Sequence, residues 1–377
     1  MAPEQTNGND AALAPHTGQF GHLTPEQEKT FADFKAVCEK EDVFSESNEG
    51  RSVGRTKRER LDDAALLRFL RARKFEVPGA LKQLKDTELW RDTNRLDELY
   101  DGFDVDAFEE ARKVYHQWTG RRDRSGHPVY VYEISHIKDN IAAFDRSSKI
   151  VSTNNTASAT DPIPGKLRML CALYENMAEF VLPLCNAVPG RPNPETPVTA
   201  TSHIVDVSGM GLMGYWNLKS HMQAASVLAS TYYPETLDRV FLIGAPSFFP
   251  TVWSWIKRWF DPATTAKLFV LSASEVTPTL TRFMRPEDLP KKYGGELDWG
   301  YGMAPSLDTE LAALLKRPAA EGGGEGGNGL EKGKWVRGPL RWVPDTDGAR
   351  GAKIVARGTV GGKPRDEVVG VFTPRKA

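Results

Sequence analysis

The chain has 377 residues, of which 40% are hydrophobic and 26% charged, and its mean hydropathy is −0.45. That length allows one large domain and a smaller one around a sizeable core, and the composition excludes a disulfide-stapled miniprotein and a polytopic membrane protein. Lys+Arg 49 against Asp+Glu 50 leaves a net charge of −1, so no global field draws the chain to nucleic acid or membrane and any basic patch is local.

Residues 1–22, rich in Asn, Gly, Pro and Gln, predict a disordered N-terminus with no apolar stretch of a secretory signal. Thr24-Pro25-Glu26-Gln27 predicts a helix start, with a hydroxyl at N-cap, proline at N1 and Gln at N3; Phe31, Phe34 and Cys38 then recur at helical spacing. The run LDDAALLRFLRARKFEV predicts a second helix, and Pro78 opens a third through Trp90 towards Tyr100. A helical lobe over 23–105 is therefore expected, then a second domain over 106–304. In the latter, Val129-Tyr130-Val131-Tyr132 and the runs Thr201 to Val207, Arg239 to Ile243 and Lys267 to Leu271 predict strands. Helices are predicted between them over Gly165 to Pro189, Tyr215 to Ser230 and Phe248 to Phe260. The fold class is α/β, a helical N-terminal lobe followed by a mainly parallel sheet flanked by helices. A Gly-rich linker is expected over 305–333, and a C-terminal extension over 334–377, where Trp335, Trp342, Val368, Val369 and Phe372 predict a short β element.

Gly209 to Gly214 spells GxGxxG between a strand and a helix, the pattern of a dinucleotide-binding turn, and an oxidoreductase is one alternative reading. Its context argues against it. Asp206 stands where an apolar residue normally leads into such a loop, and Glu235 and Asp238 precede the strand that a ribose-binding acid would terminate. No GxSxG elbow occurs, the seven histidines show no metal spacing, and Cys38, Cys171 and Cys185 are too scattered for a CxxC site or a disulfide framework. A reducing, cytoplasmic setting is expected, with no metal, no cofactor and no nucleic-acid partner.

Two segments carry more physics. Arg51 to Lys74 holds nine cations and three acids, a net +6, and within LLRFLRARKF the apolar Leu67, Leu70 and Phe75 alternate with Arg68, Arg71, Arg73 and Lys74, a turn able to hold a phosphate. In Phe248 to Phe260, the residues Phe248, Phe249, Trp253, Trp255, Ile256, Trp259 and Phe260 fall on one arc of a helix with Lys257 and Arg258 opposite. Such a helix either faces a core or dips into a lipid interface.

Read in order, LLRFLRARKFEV, DRSGHPVYVYE from Asp123, HIVDVSG from His203, STYYPETLDRVFLIGAPSFF from Ser230, FDPATTAKLFV from Phe260 and LPKKYGG from Leu289 resemble the CRAL-TRIO lipid-transfer family, in its yeast-type phosphatidylinositol/phosphatidylcholine-transfer branch. The resemblance covers roughly Leu23 to Trp299. It implies a non-enzymatic monomer that encloses one lipid in an apolar pocket over the sheet, touches membranes transiently, and uses the Phe248 to Phe260 helix as lid; a lipid sensor that does not transfer is the other alternative. It also implies that Arg73, Lys74, Glu235, Thr264 and Lys267 hold a phosphatidylinositol headgroup, a set whose cations, hydroxyl and carboxylate suit a phosphodiester and inositol hydroxyls. A second hydrophobic ligand is expected beside Thr119, Tyr130 and Thr201. Thr119 replaces a family tyrosine, which takes away one aromatic face for choline, so a sterol, another phospholipid or a hydrophobic metabolite stands beside phosphatidylcholine as a candidate.

Overall fold

A computed structural model describes residues 17–44, 57–153, 163–209, 211–245, 249–256, 258, 267–315, 335–344 and 351–372. Phe248, Trp259, Phe260, Thr264 and the glycine run of the expected linker lie outside the described residues. Helix α1 (Pro25–Lys40) starts as expected: Gln27 N–H donates to the Thr24 hydroxyl and the Gln27 side chain accepts from the Thr24 N–H. Then come α2 (Lys57–Arg60), α3 (Asp63–Ala72), α4 (Val77–Thr93), α5 (Leu96–Asp101) and α6 (Val105–Arg112). The expected third helix breaks at Arg95, whose left-handed φ of 49° ends the run and starts α5. Phe31, Phe34, Cys38, Leu66, Leu70 and Leu84 form the apolar core of this lobe.

Strands β1 (Gln117–Arg122) and β2 (Pro128–Glu133) are joined by a turn in which Asp123 accepts from the Ser125 and His127 N–H groups. Then follow α7 (Ile137–Thr153), α8 (Gly165–Asn176), a π turn (Met177–Val181), α9 (Leu182–Asn186), β3 (Thr201–Asp206), α10 (Leu212–Tyr232), β4 (Leu237–Ile243), α11 (Phe249–Ile256), β5 (Leu268–Leu271), α12 (Ala273–Phe283) and α13 (Thr309–Leu314). The sheet order is β1-β2-β3-β4-β5, parallel except for β1, which runs antiparallel to β2. The long helix expected from Gly165 is present, but its middle widens into the π turn just ahead of Pro183. Proline has no N–H to donate, and its ring crowds the carbonyl four residues back.

Neither β1, α6 nor α7 is anticipated in the sequence reading. Strand β1 has no apolar alternation, and its Gly120 sits at φ 86° with the Ser306 backbone packed against it; a Cβ there would come within 2.6 Å of that backbone.

The C-terminal segment builds a three-stranded sheet, β6 (Leu340–Pro344), β7 (Ala352–Ala356) and β10 (Glu367–Phe372), in the order β10-β7-β6, plus the small pair β8 (Thr359–Val360) and β9 (Lys363–Pro364). Leu340, Ile354, Ala356 and Val369 share one buried cluster with Trp118, Phe180, Val181 and Leu184. Next to Leu340 on the strand, Arg341 is 2% exposed, lies over the Tyr100 ring and pairs with Asp97, Asp101 and Glu179.

Candidate functional site

The two faces of the five-stranded sheet are packed differently. On one, Val129, Val131, Ile204 and Phe241 are fully buried against Leu280, Phe283 and Met284 of and just after α12. On the other, Tyr132, His203, Val205 and Leu268 are only half-buried. There Tyr132, Val205 and Leu268 lie with Leu173 and Tyr174 of α8, Ala225 and Tyr232 of α10, and Trp253 of α11. In a strand successive side chains take opposite faces, so this contrast separates a sealed face from one that keeps accessible apolar surface.

At the N-terminal ends of β4 and β5 three charges meet. Glu235, in the turn before β4, receives Arg71 Nη2 at 3.1 Å and Lys267 Nζ at 3.3 Å, and Lys267 also donates to the Leu237 carbonyl at 2.8 Å. Arg68 Nη1 donates to the Pro234 carbonyl beside them at 3.0 Å. Arg73 and Lys74 follow α3, both exposed, and neither makes an ion pair among the described residues. Lys74, Phe75 and Glu235 have φ of 52°, 64° and 56°, half of the six non-glycine residues with positive φ among those described. Such backbone is costly without glycine and gathers where a site over-determines it. The structure therefore brings Glu235 and Lys267 together, while Arg73 and Lys74 stand just past the end of α3 with no ion pair to either of them among the described residues. It adds Arg71, which the sequence reading counted among the cations of the turn without giving it a role.

The expected second-ligand residues behave differently from one another. Thr119 is fully buried and its hydroxyl donates to the Val129 carbonyl at 3.0 Å, a bond within the β1–β2 pair. The Thr201 hydroxyl donates to the Thr236 carbonyl at 3.0 Å and lies 2.7 Å from His203 Nε2. Tyr130 stacks on the His203 ring at 5.3 Å, and Tyr132 stacks on His116 at 4.6 Å. The two imidazoles meet Nδ1 to Nδ1 at 2.7 Å. Burial holds both neutral, His116 down to about 4 and His203 well below its usual value. Sequence reading treated these histidines as isolated; the signal available was that His203 shares a strand face with Thr201 and Val205.

Several recurrent sequence blocks turn out to be fasteners. His127 Nδ1 lies 3.4 Å from both Asp123 Oδ2 and Asp238 Oδ2. Burial opposes its charge, but those carboxylates push its pKa to about 10. The three donor atoms sit close enough together for a metal ion, yet positive charge is already supplied there by His127 and by Arg239, which pairs with Asp238. In LPKKYGG, Lys292 Nζ reaches Glu133 at 2.7 Å and Asp206 at 2.9 Å, while the Tyr293 hydroxyl donates to Glu133 at 2.9 Å. Burial raises the Asp206 carboxyl, but Ser208 and Lys292 hold it below the usual range. The GxGxxG segment follows this latch: Gly209 has φ 74° and α10 begins at Leu212. Gly244 packs so tightly on Ser208 that a Cβ would come within 1.9 Å of its hydroxyl. Farther in, Arg91 forks onto Glu175 at 2.7 and 2.8 Å, and Tyr233 donates to Glu175 at 2.7 Å, tying α4, α8 and the YYPE block. Sequence reading missed this group, whose trace is a charged Glu175 on a helix of otherwise apolar spacing.

In α11, Phe249 is buried and stacks on Trp253 at 6.1 Å, both against the helix-facing core, while Trp255 is half-buried. Among the described residues no helix is long and apolar enough to cross a membrane. A separate groove of about 620 Å³ lies between the N-terminal lobe, α9 and the C-terminal sheet, lined by Arg60, Arg68, Leu182, Tyr232, Trp342 and Phe372 among others. It touches none of the expected headgroup or second-ligand residues, and its Arg60 is already paired with Glu88 at 2.9 Å.

Residues 112–295 match the CRAL/TRIO domain, and residues 30–86 match the CRAL/TRIO N-terminal domain. The chain is 30% identical over 239 residues to a SEC14 cytosolic factor of Candida glabrata, covering 63% of this chain and 72% of that one. It is 29% identical over 280 residues to a SEC14 cytosolic factor of Kluyveromyces lactis, covering 74% and 81%. A phosphatidylinositol/phosphatidylcholine transfer protein of Arabidopsis thaliana, SFH7, is 28% identical over 267 residues, covering 68% of this chain and 44% of that one.

Proposed function

This chain belongs to the CRAL/TRIO family, and from that premise we propose that it lifts one phosphatidylinositol molecule out of a membrane and carries or presents it, without breaking a bond. Removing some thirty methylenes from hydrocarbon into water would cost roughly 25 kcal/mol at about 0.8 kcal/mol each, so the acyl chains need a dry space. The half-buried sheet face under α8, α10 and α11 is the part of the molecule with apolar surface to spare for them. The headgroup sits at the Glu235 corner: Arg73, Lys74 and Lys267 face the phosphate, Glu235 accepts from inositol hydroxyls, and Thr264 completes the set. The observation that carries this reading is the meeting of Arg71, Glu235 and Lys267, at a corner where Glu235 has a left-handed backbone. The relatives named for phosphatidylinositol transfer lend the same direction.

In this reading α11 is the lid, opening at the membrane and closing in solution, and the protein works as a monomer in the cytoplasm with transient membrane contact and no cofactor. The second hydrophobic ligand lies by Tyr130 and Thr201. The deciding experiment is transfer of labelled phosphatidylinositol between vesicles: the wild type transfers it, Arg73→Ala and Lys267→Ala lose it while still unfolding cooperatively on heating, and undiminished transfer by both variants refutes the headgroup site.

A further inference from the structure

The chain of groups beside Tyr130 defines the chemistry of the second ligand. Thr201 Oγ1 donates to the Thr236 carbonyl at 3.0 Å, so at 2.7 Å it accepts from His203 Nε2–H. His203 Nδ1 is then left as an acceptor, and the 2.7 Å contact with His116 Nδ1 requires that His116 carry its proton on Nδ1. The relay ends at His116 Nε2, a lone pair that has no hydrogen-bond partner among the described residues, on a ring that is only half-buried. That ring lies flat on Tyr132, a residue of the accessible sheet face.

The surroundings of this lone pair exclude several headgroups. A quaternary ammonium has no N–H to give it and is best held by open aromatic faces, whereas Tyr130 and Tyr132 each have a face covered by an imidazole. A phosphate calls for Arg or Lys, and the relay consists of one threonine and two histidines that burial keeps uncharged. A hydroxyl fits, since it donates to an imidazole lone pair and brings no charge into a space where charge is expensive.

We propose that the second ligand is a neutral lipid alcohol, a hydrophobic molecule whose free hydroxyl donates to His116 Nε2 at the end of the Thr201–His203–His116 relay. This rests on the lipid-binding reading above. His116 is a binding residue, and His203 and Thr201 are positioning residues that fix its tautomer.

The test compares a fluorescent sterol with its methyl ether, taken up from phospholipid vesicles by the full-length wild type, with labelled phosphatidylinositol and phosphatidylcholine in parallel arms. The alcohol should bind roughly tenfold more tightly than the ether, the scale of one hydrogen bond at a buried site. His116→Leu should take both alike, and His203→Leu, which frees the His116 tautomer, should narrow the preference. Equal uptake of alcohol and ether by the wild type, or phosphatidylcholine displacing the sterol at equal concentration, overturns the proposal. Because that comparison is made on the wild type, it decides even where a variant fails to fold. Wild-type transfer of phosphatidylinositol with no preference for the alcohol sinks the anchor alone; failure of every lipid to enter sinks the transfer reading and the anchor with it.

Discussion

The two ends of the central sheet both carry carboxylates facing lysines, yet those carboxylates are buried to different depths. At the C-terminal ends of β2 and β3, the Glu133 and Asp206 side chains are 4% and 5% exposed, bridged by Lys292 and bonded to Tyr293 or Ser208. At the N-terminal ends of β4 and β5, Glu235 and Lys267 are 19% and 26% exposed, their contact is longer, and Arg71 also pairs with Glu235. The first cluster ties strands together because its two nearly buried carboxylates are met by a lysine whose own side chain is 49% exposed. A half-open cluster with surplus positive charge is poised for an anion from outside. The same residue types thus meet at both ends, with the carboxylates more deeply buried at the C-terminal end than Glu235 is at the other.

The comparison breaks first at the closed end. Lys292→Met leaves two nearly buried carboxylates facing each other without their lysine, and denaturant unfolding should report a loss of about 3 kcal/mol, with transfer per folded molecule retained. An unchanged midpoint would mean that the latch is not holding the strands. At the open end the effects should reverse: Lys267→Ala and Arg73→Ala should cut phosphatidylinositol transfer by roughly 10- to 100-fold, the scale of a lost charged hydrogen bond, while exposed Arg73→Ala shifts stability by less than about 0.5 kcal/mol and Lys267→Ala, which loses its bonds to Glu235 and the Leu237 carbonyl, by about 1 kcal/mol.

Titration sharpens the contrast next. His127 keeps its proton to about pH 10 in the folded protein because of Asp123 and Asp238, whereas in the unfolded chain it loses the proton near 6.5. The folded state therefore binds more protons between those limits. The stability that His127 contributes is fully present below pH 6.5 and falls as pH rises towards 10. Melting temperatures should decline from pH 7 to 9.5 in the wild type and decline less in His127→Asn; equal slopes would remove His127 from the account. The smallest effect is expected on α11. Trp255→Ser should slow lipid exchange a few-fold with little change in stability, while Trp253→Ser, which loses its stack on Phe249, should also lower the melting temperature. Should Trp255→Ser alter equilibrium binding and leave exchange rates alone, α11 is not a lid.

Much of this was legible in the linear chain where local rules govern. The capping box at Thr24, the strand of PVYVYE, the helix from Gly165 and the strands at 340–344, 352–356 and 367–372 all follow from propensity and period. Of the residues in the motif blocks, Glu235 and Lys267 meet in the folded chain. Strand β1 was not legible, because QWTGRR becomes a strand only by pairing with β2 and by the close approach of Ser306 to Gly120. The buried Arg91–Glu175–Tyr233 group and the anchoring of Arg341 were hidden for the same reason: each joins residues far apart in the chain.

What the amino-acid order determined alone is the set of elements and their amphipathic faces, because helix and strand periods and caps are read within a few residues. Tertiary structure alone decided which charges are locked and which are available, and which histidines touch. Arg71 rather than Arg73 takes Glu235, the C-terminal sheet closes over Phe180 and Leu184, and His116 completes a relay with a residue 87 positions away. Such assignments depend on desolvation and distance between segments remote in sequence, and those quantities exist only once the chain has folded.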